Sequence, residues 1–235
     1  MRAQASGNCA QSICRAGKGS SNPVVRIFLT PSPGFAGYNM FRSPLGKGPS
    51  DGWVAGMNLE RLTALEYGWL HKQRSCGEGR ETLYRQLGVY AVWQDIFQQY
   101  VALARQGDTE ALKRALYLAW AERSQGPILS GVKDLDRGLL RELLGIADDL
   151  ARTGGLDAEL GWMLPYYYLV EPSYIEQFEG FEDLRQVSER GPFLYRRACL
   201  ESSFDNRGHM GEYWKSKQAI LRQWPYPGPD MPDAP

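Results

Sequence analysis

The sequence predicts an all-α protein, an irregular antiparallel helical bundle of five to six helices with disordered termini. Three observations carry that prediction. Residues Thr82 to Gln125 read as two long apolar helices joined by a tight turn. Further segments with apolar residues at helical spacing lie on both sides of that pair. The two ends of the chain are rich instead in Gly, Ser and Pro.

Residues 1–56 differ from the rest of the chain, with Gly, Ser and Pro making up over a third of them. Such a composition belongs to loops and disorder. One apolar run, Val24 to Leu29, has strand character but no neighbouring partner, and Thr30-Pro31-Ser32-Pro33 ends it. The segment reads as a disordered or spurious N-terminal extension, with Met57 as the natural initiator, because helical order begins one residue later. A flexible tail and a basic, nearly acid-free targeting segment are the competing readings.

A bundle domain is expected over residues 57–190. Asn58 is suited to cap a helix carrying Leu59, Leu62, Leu65, Glu66, Trp69 and Leu70 at helical spacing. Glu60 near its start and Lys72 and Arg74 near its end suit the macrodipole. Ser75 to Gly79 breaks it. The long helix from Thr82 then places Leu83, Leu87, Tyr90, Trp93, Phe97, Tyr100 and Val101 in an apolar arc of roughly 200°, against the ~100° of an ordinary surface helix. Tyr84, Gly88 and Asp95 fall on the remaining polar strip. Gly107 is placed for a left-handed C-cap and Asp108 for an N-cap. The next helix carries Leu112, Ala115, Leu116, Ala119 and Trp120 on one face. A connection this short implies antiparallel packing. The turn occurs once, so no repeat architecture is indicated.

Gly126 to Gly131 reads as a loop. A clean amphipathic helix comes next at about Leu135 to Arg152, with Asp148 and Asp149 on its solvated side and Gly154-Gly155 at its end. Leu156 to Val170 is a further helix, in which Pro165 predicts a kink or break near Gly161. Ser173-x-x-Glu176 has the capping-box pattern and opens a helix with Ile175, Phe178, Phe181, Leu184 and Val187. Residues 191–235 read as a C-terminal extension with one short helix near Glu212 to Gln223 and a Pro-rich tail.

Composition narrows the function. Hydrophobic content of 43% and charged content of 23% are globular values. Formal net charge is zero, but six basic residues against one acidic precede Met57, leaving twenty-one against twenty-six in the remainder. A net acidic domain argues against nucleic-acid binding, which needs clustered cations. No apolar run approaches the ~18 residues of a membrane span, so no membrane partner is expected. Cys9, Cys14, Cys76 and Cys199 are scattered without metal-ligand spacing, which suggests isolated thiols in a reducing, cytoplasmic setting and no metal. No cofactor fingerprint or catalytic motif is present. His71 sits among Lys72 and Arg74 as a solvated residue. Cys199, Asp205 and His209 lie in one loop-like segment and are the thiol-nucleophile candidates; Asp95 is the acidic residue to watch, though the projection leaves it in solvent.

The densest signal is aromatic. Trp162, Tyr166, Tyr167 and Tyr168 surround Pro165, with Glu159 and Glu171 nearby. Consecutive tyrosines on a helix cannot all face one core. The leading expectation is therefore a soluble interaction or regulatory protein presenting an acidic, tyrosine-rich surface to a protein partner. The surface residues are Trp162, Tyr166, Tyr167, Tyr168, Glu171 and Asp95. The alternative is a small apolar-ligand binding protein with an inter-helical pocket walled by Trp93, Tyr100, Trp120 and Trp162. An enzyme of unknown class comes third.

Overall fold

The computed structural model describes residues 58–77, 79–190 and 195–223. The expectations for residues 1–56, including Val24–Leu29 and Cys9/Cys14, the Met57 start and the Pro-rich tail lie outside them. Within them every regular element is helical, and all fall in one compact unit. The all-α class stands, but five to six helices is too few. Among the described residues there are eleven, nine of them seven residues or longer. They are α1 (Leu59–Ser75), α2 (Arg80–Leu87), α3 (Val89–Arg105), α4 (Thr109–Ser124), α5 (Pro127–Ser130) and α6 (Arg137–Thr153), then α7 (Ala158–Val170), α8 (Ser173–Glu176), α9 (Glu182–Glu189), α10 (Tyr195–Glu201) and α11 (Gly208–Gln223).

Backbone chemistry explains the higher count. The single helix expected from Thr82 is two, because Gly88 takes φ +67, which ends α2 and starts α3. A left-handed residue redirects the chain, and glycine adopts it without a Cβ penalty. The phase of α2 therefore shifts. Tyr84, projected onto the polar strip, is fully buried, and Leu87, projected onto the apolar arc, is 48% exposed. The helix expected from Ser173 is also two. Its capping box does not form, since Pro172 takes the N-cap position and the Glu171 carboxylate accepts bonds from the Ser173 N–H and hydroxyl. Phe181 stands at the N-cap of α9 and has no capping oxygen. Asp148 of α6 supplies one instead, accepting from Leu184 N at 2.8 Å.

Other boundaries match the sequence closely. Asn58, Asp108, Asp136 and Asp157 each accept a bond from a main-chain N–H three residues on, at 2.8–2.9 Å. The 107–108 turn is as expected: Gly107 has φ +92, and Asp108 N bonds Leu103 O at 3.1 Å. No break occurs at Gly161, and α7 runs through Pro165. The proline frees the Gly161 carbonyl, and Gly161 is exposed, so solvent takes the lost partner's place.

α4 is the centre of the helical unit. Its sequence marks one apolar face, yet all eleven residues from Ala111 to Ala121 are buried, Lys113 and Arg114 included. Alanines at 111, 115, 119 and 121 let neighbouring helices approach closely. α3 packs along it, α6, α8 and α11 meet it from other sides, and α9 bridges α6 and α7. Residues 195–223 are no mere extension of the bundle: α11 packs on α1 and α4 and buries Trp214 completely. No helix among the described residues is long and apolar enough to cross a membrane.

Candidate functional site

The aromatic residues singled out from sequence lie mostly inside. Trp162, Tyr166 and Tyr167 are buried. Tyr167 stacks on Trp120 with ring centroids 4.9 Å apart, and its hydroxyl accepts from Trp214 Nε1 at 3.1 Å. Tyr166 and Tyr213 share a 2.6 Å hydroxyl–hydroxyl bond. Trp162 meets Trp214 edge-on. The hydroxyls expected to require a surface are satisfied by α11, so these three side chains form an internal cluster and not an outward face. Tyr168 is half-buried and donates to Glu176 at 2.6 Å, a carboxylate that pushes the phenol up to about 12. Glu171 is half-buried. Asp95 is exposed on α3, with modest desolvation raising its carboxyl above the ordinary value.

Among the described residues no hydrogen bond joins Cys199 and His209. The Cys199 thiol is buried in α10 and pushed up to about 11 by desolvation. The His209 ring lies against Trp93 and Tyr117, each with centroids 5.1 Å away. Burial lowers its pKa to about 4, so the imidazole is neutral near pH 7. His71 is exposed, as expected. Among the described residues no three His, Cys, Asp or Glu side chains gather as metal ligands.

Two features carry little signal in the sequence. The first is a buried ionic network that fastens α11 to the centre. Arg207, just before α11, bonds both Glu110 of α4 and Glu159 of α7. Lys113 reaches Glu159 at 2.7 Å and Asp157 at 2.6 Å. Arg114 bonds Glu110, Thr63, Tyr100 and the Asn206 carbonyl. Three cations thus face three carboxylates. A fourth carboxyl, Glu66, is 1% exposed and lies 3.7 Å from Arg114, pressed against Gly208 at the first turn of α11. Burial raises its pKa to about 7, against the opposing pull of Arg114, the Tyr100 hydroxyl and the His209 main chain. Protonated, it leaves the network balanced.

The second is a cleft of about 270 Å³ between α1, α2, the end of α4, α5 and α11. Leu70, Tyr84, Tyr117 and Tyr213 supply its apolar and aromatic wall, and Arg74, Arg80 and Glu212 are the charged groups. Three of its lining side chains, Gln73, Tyr84 and His209, are more than nine-tenths buried and hold polar atoms with no partner: Nε2, the hydroxyl and Nδ1. Each such group costs about 1–3 kcal/mol when left unbonded. Native proteins rarely collect three in one place without something to bond them. Gln73 and Glu66 had one signal in the sequence, as polar residues on the apolar stripe of α1 with Leu62, Trp69 and Leu70. The contribution of α2 was hidden by the break at Gly88.

Comparison of the chain with protein-family models, with curated proteins and with solved structures finds no match.

Proposed function

We propose that this protein binds a small organic molecule in the α1–α2–α11 cleft and acts by binding, not by turnover. The observation that carries the reading is that three side chains lining one cavity, beside tyrosine rings, are buried and hold an unbonded polar atom. Water satisfies polar atoms but gains little from aromatic walls, whereas an organic ligand uses both. The walls differ from those expected from sequence: Trp93, Tyr100, Trp120 and Trp162 are core side chains, and tyrosines line the opening instead. A binding role is supported by the state of the two nucleophile candidates, a thiol held protonated and an imidazole packed between rings. The free, buried Cys76 and Cys199 support a reducing, cytoplasmic location.

The test is a fragment screen by ligand-observed NMR, repeated on Ser216→Trp. Ser216 is exposed at the rim, so a large ring there covers the cleft without entering the core. Fragments are expected to bind the wild type and to lose binding in the variant. Equal binding to both proteins counts against the cleft.

A second reading, docking of a protein partner, is supported at the end of α7. Leu169 and Val170 are 65% and 48% exposed there, beside Tyr168 and Glu171. Exposed apolar pairs of this kind occur at interfaces. Leu169→Ser with Val170→Ser is expected to reduce recovery of a partner in a pull-down; unchanged recovery removes this reading.

A further inference from the structure

The bonding capacity of the cleft is lopsided. Trp93 Nε1, which only donates, lies just behind Gln73, and both nitrogens crowd the place where a Cβ on Gly131 would sit, at 2.9 and 1.9 Å. Two donors side by side cannot bond one another. Turning the Gln73 amide over sets an acceptor oxygen on the indole's side and the NH2 on the other side of a residue that lines the cleft. Tyr117 already accepts from Gln125 Nε2 at 3.1 Å, which leaves its own O–H to give. Tyr84 has an unbonded hydroxyl. Of the charged lining groups, Arg74 and Glu212 neutralise one another at 2.5 Å. Arg80 is left over: among the described residues its guanidinium bonds only the Cys76 carbonyl, at 3.2 Å. One uncompensated cation and a surplus of donors call for an acceptor that carries a single negative charge. The tyrosine rings and Leu70 call for an apolar body.

We infer that the ligand is a small monocarboxylate with an aromatic or apolar body, its carboxylate bonded by Arg80 and the Gln73 amide and its body laid on the wall of Leu70 and Tyr213. This rests on the ligand-binding reading above. A carboxylate takes several donors at once and pairs with a guanidinium in a charge-assisted bond. A phosphate dianion would leave half its charge unmatched. The lone Arg80 also explains selectivity: a neutral isostere keeps the wall contacts and loses the charge-assisted bond.

Benzoate is the probe and benzamide its uncharged counterpart, with inorganic phosphate as the anion lacking a body. The signals to monitor are the Gln73 side-chain amide and the Trp93 indole N–H in ¹⁵N spectra of the full chain. Benzoate is expected to move both, and Arg80→Gln to weaken it by about tenfold or more while changing benzamide by less than about twofold. Arg80→Lys, which keeps the charge, is expected to retain part of the affinity. Benzamide binding as tightly as benzoate, with no effect of Arg80→Gln, overturns the carboxylate and leaves the cleft reading intact. Phosphate binding as well as benzoate overturns the apolar body. Silence of both signals with all three compounds overturns the carboxylate and the cleft together.

Discussion

At the first turn of α11, Glu66 and His209 sit side by side and titrate in opposite senses. The folded pKa of Glu66, about 7, lies above its ordinary 4.5, so the native state holds that proton more tightly. The stability it contributes is complete below about pH 4.5 and is lost as pH rises through 7. His209 falls from 6.5 to about 4, so the unfolded chain holds its proton more tightly. Its contribution is complete above about 6.5 and is lost as pH falls through 4. Between pH 4.5 and 6.5 the two slopes oppose, each at most about 1.4 kcal/mol per pH unit. Removing one uncovers the other. Denaturant unfolding at a series of pH values should show Glu66→Gln gaining stability with pH across this window and His209→Gln losing it. Parallel curves for the two variants would show that the pair is not coupled to folding in this way.

Among the elements, the caps show how far a single sequence can be read and where it stops. Local signals were legible: Asn58 and Asp108 cap the helices they were expected to cap, and Gly107 and Gly154 end theirs. Each of these is settled by residues within a turn of one another. The illegible part depends on distant chain. The cap of α9 comes from Asp148, thirty-six residues earlier, which looks from sequence like a solvated acid on an amphipathic helix. Asp148→Ala is expected to destabilise the protein by about 1 kcal/mol, whereas Asp149→Ala, whose partner is the exposed Arg152, changes it by less than about 0.5 kcal/mol. Urea midpoints distinguish them. Gly88 teaches a related lesson. Its φ of +67 turned one projected helix into two and reversed the burial of Tyr84 and Leu87. Glycine within an apolar periodic stretch does not declare whether it continues or redirects the chain.

For the whole molecule, α4 sets the arrangement, and its two buried cations are what the sequence disguised. Lys113 and Arg114 look like surface residues of an amphipathic helix; they are buried because Glu110, Asp157 and Glu159 meet them and because Arg207 closes the network over them. Partners from three regions of the chain cannot be paired by spacing alone. Breaking such a network costs more than breaking a surface pair, since charges are left behind in a dry place. Arg207→Met is expected to lower stability by about 3 kcal/mol, and Arg74→Met, whose side chain is largely exposed, by under about 1 kcal/mol. A loss for Arg207→Met no larger than that for Arg74→Met would mean that the network does not hold α11 in place.

The α1–α11 pairing has a consequence for timing. Arg74 and Glu212 are 138 residues apart, and Glu66 meets Gly208 over a similar span, whereas α3 and α4 are joined by one turn. Closing a long loop is entropically costly and brings no contacts until it is complete, so the α3–α4 hairpin forms early and the seam between α1 and α11 seals late. The cleft is built on that seam and does not exist until it seals. A bound carboxylate should therefore act as a latch on the finished protein, lengthening its unfolding lifetime while leaving its refolding rate untouched in stopped-flow measurements.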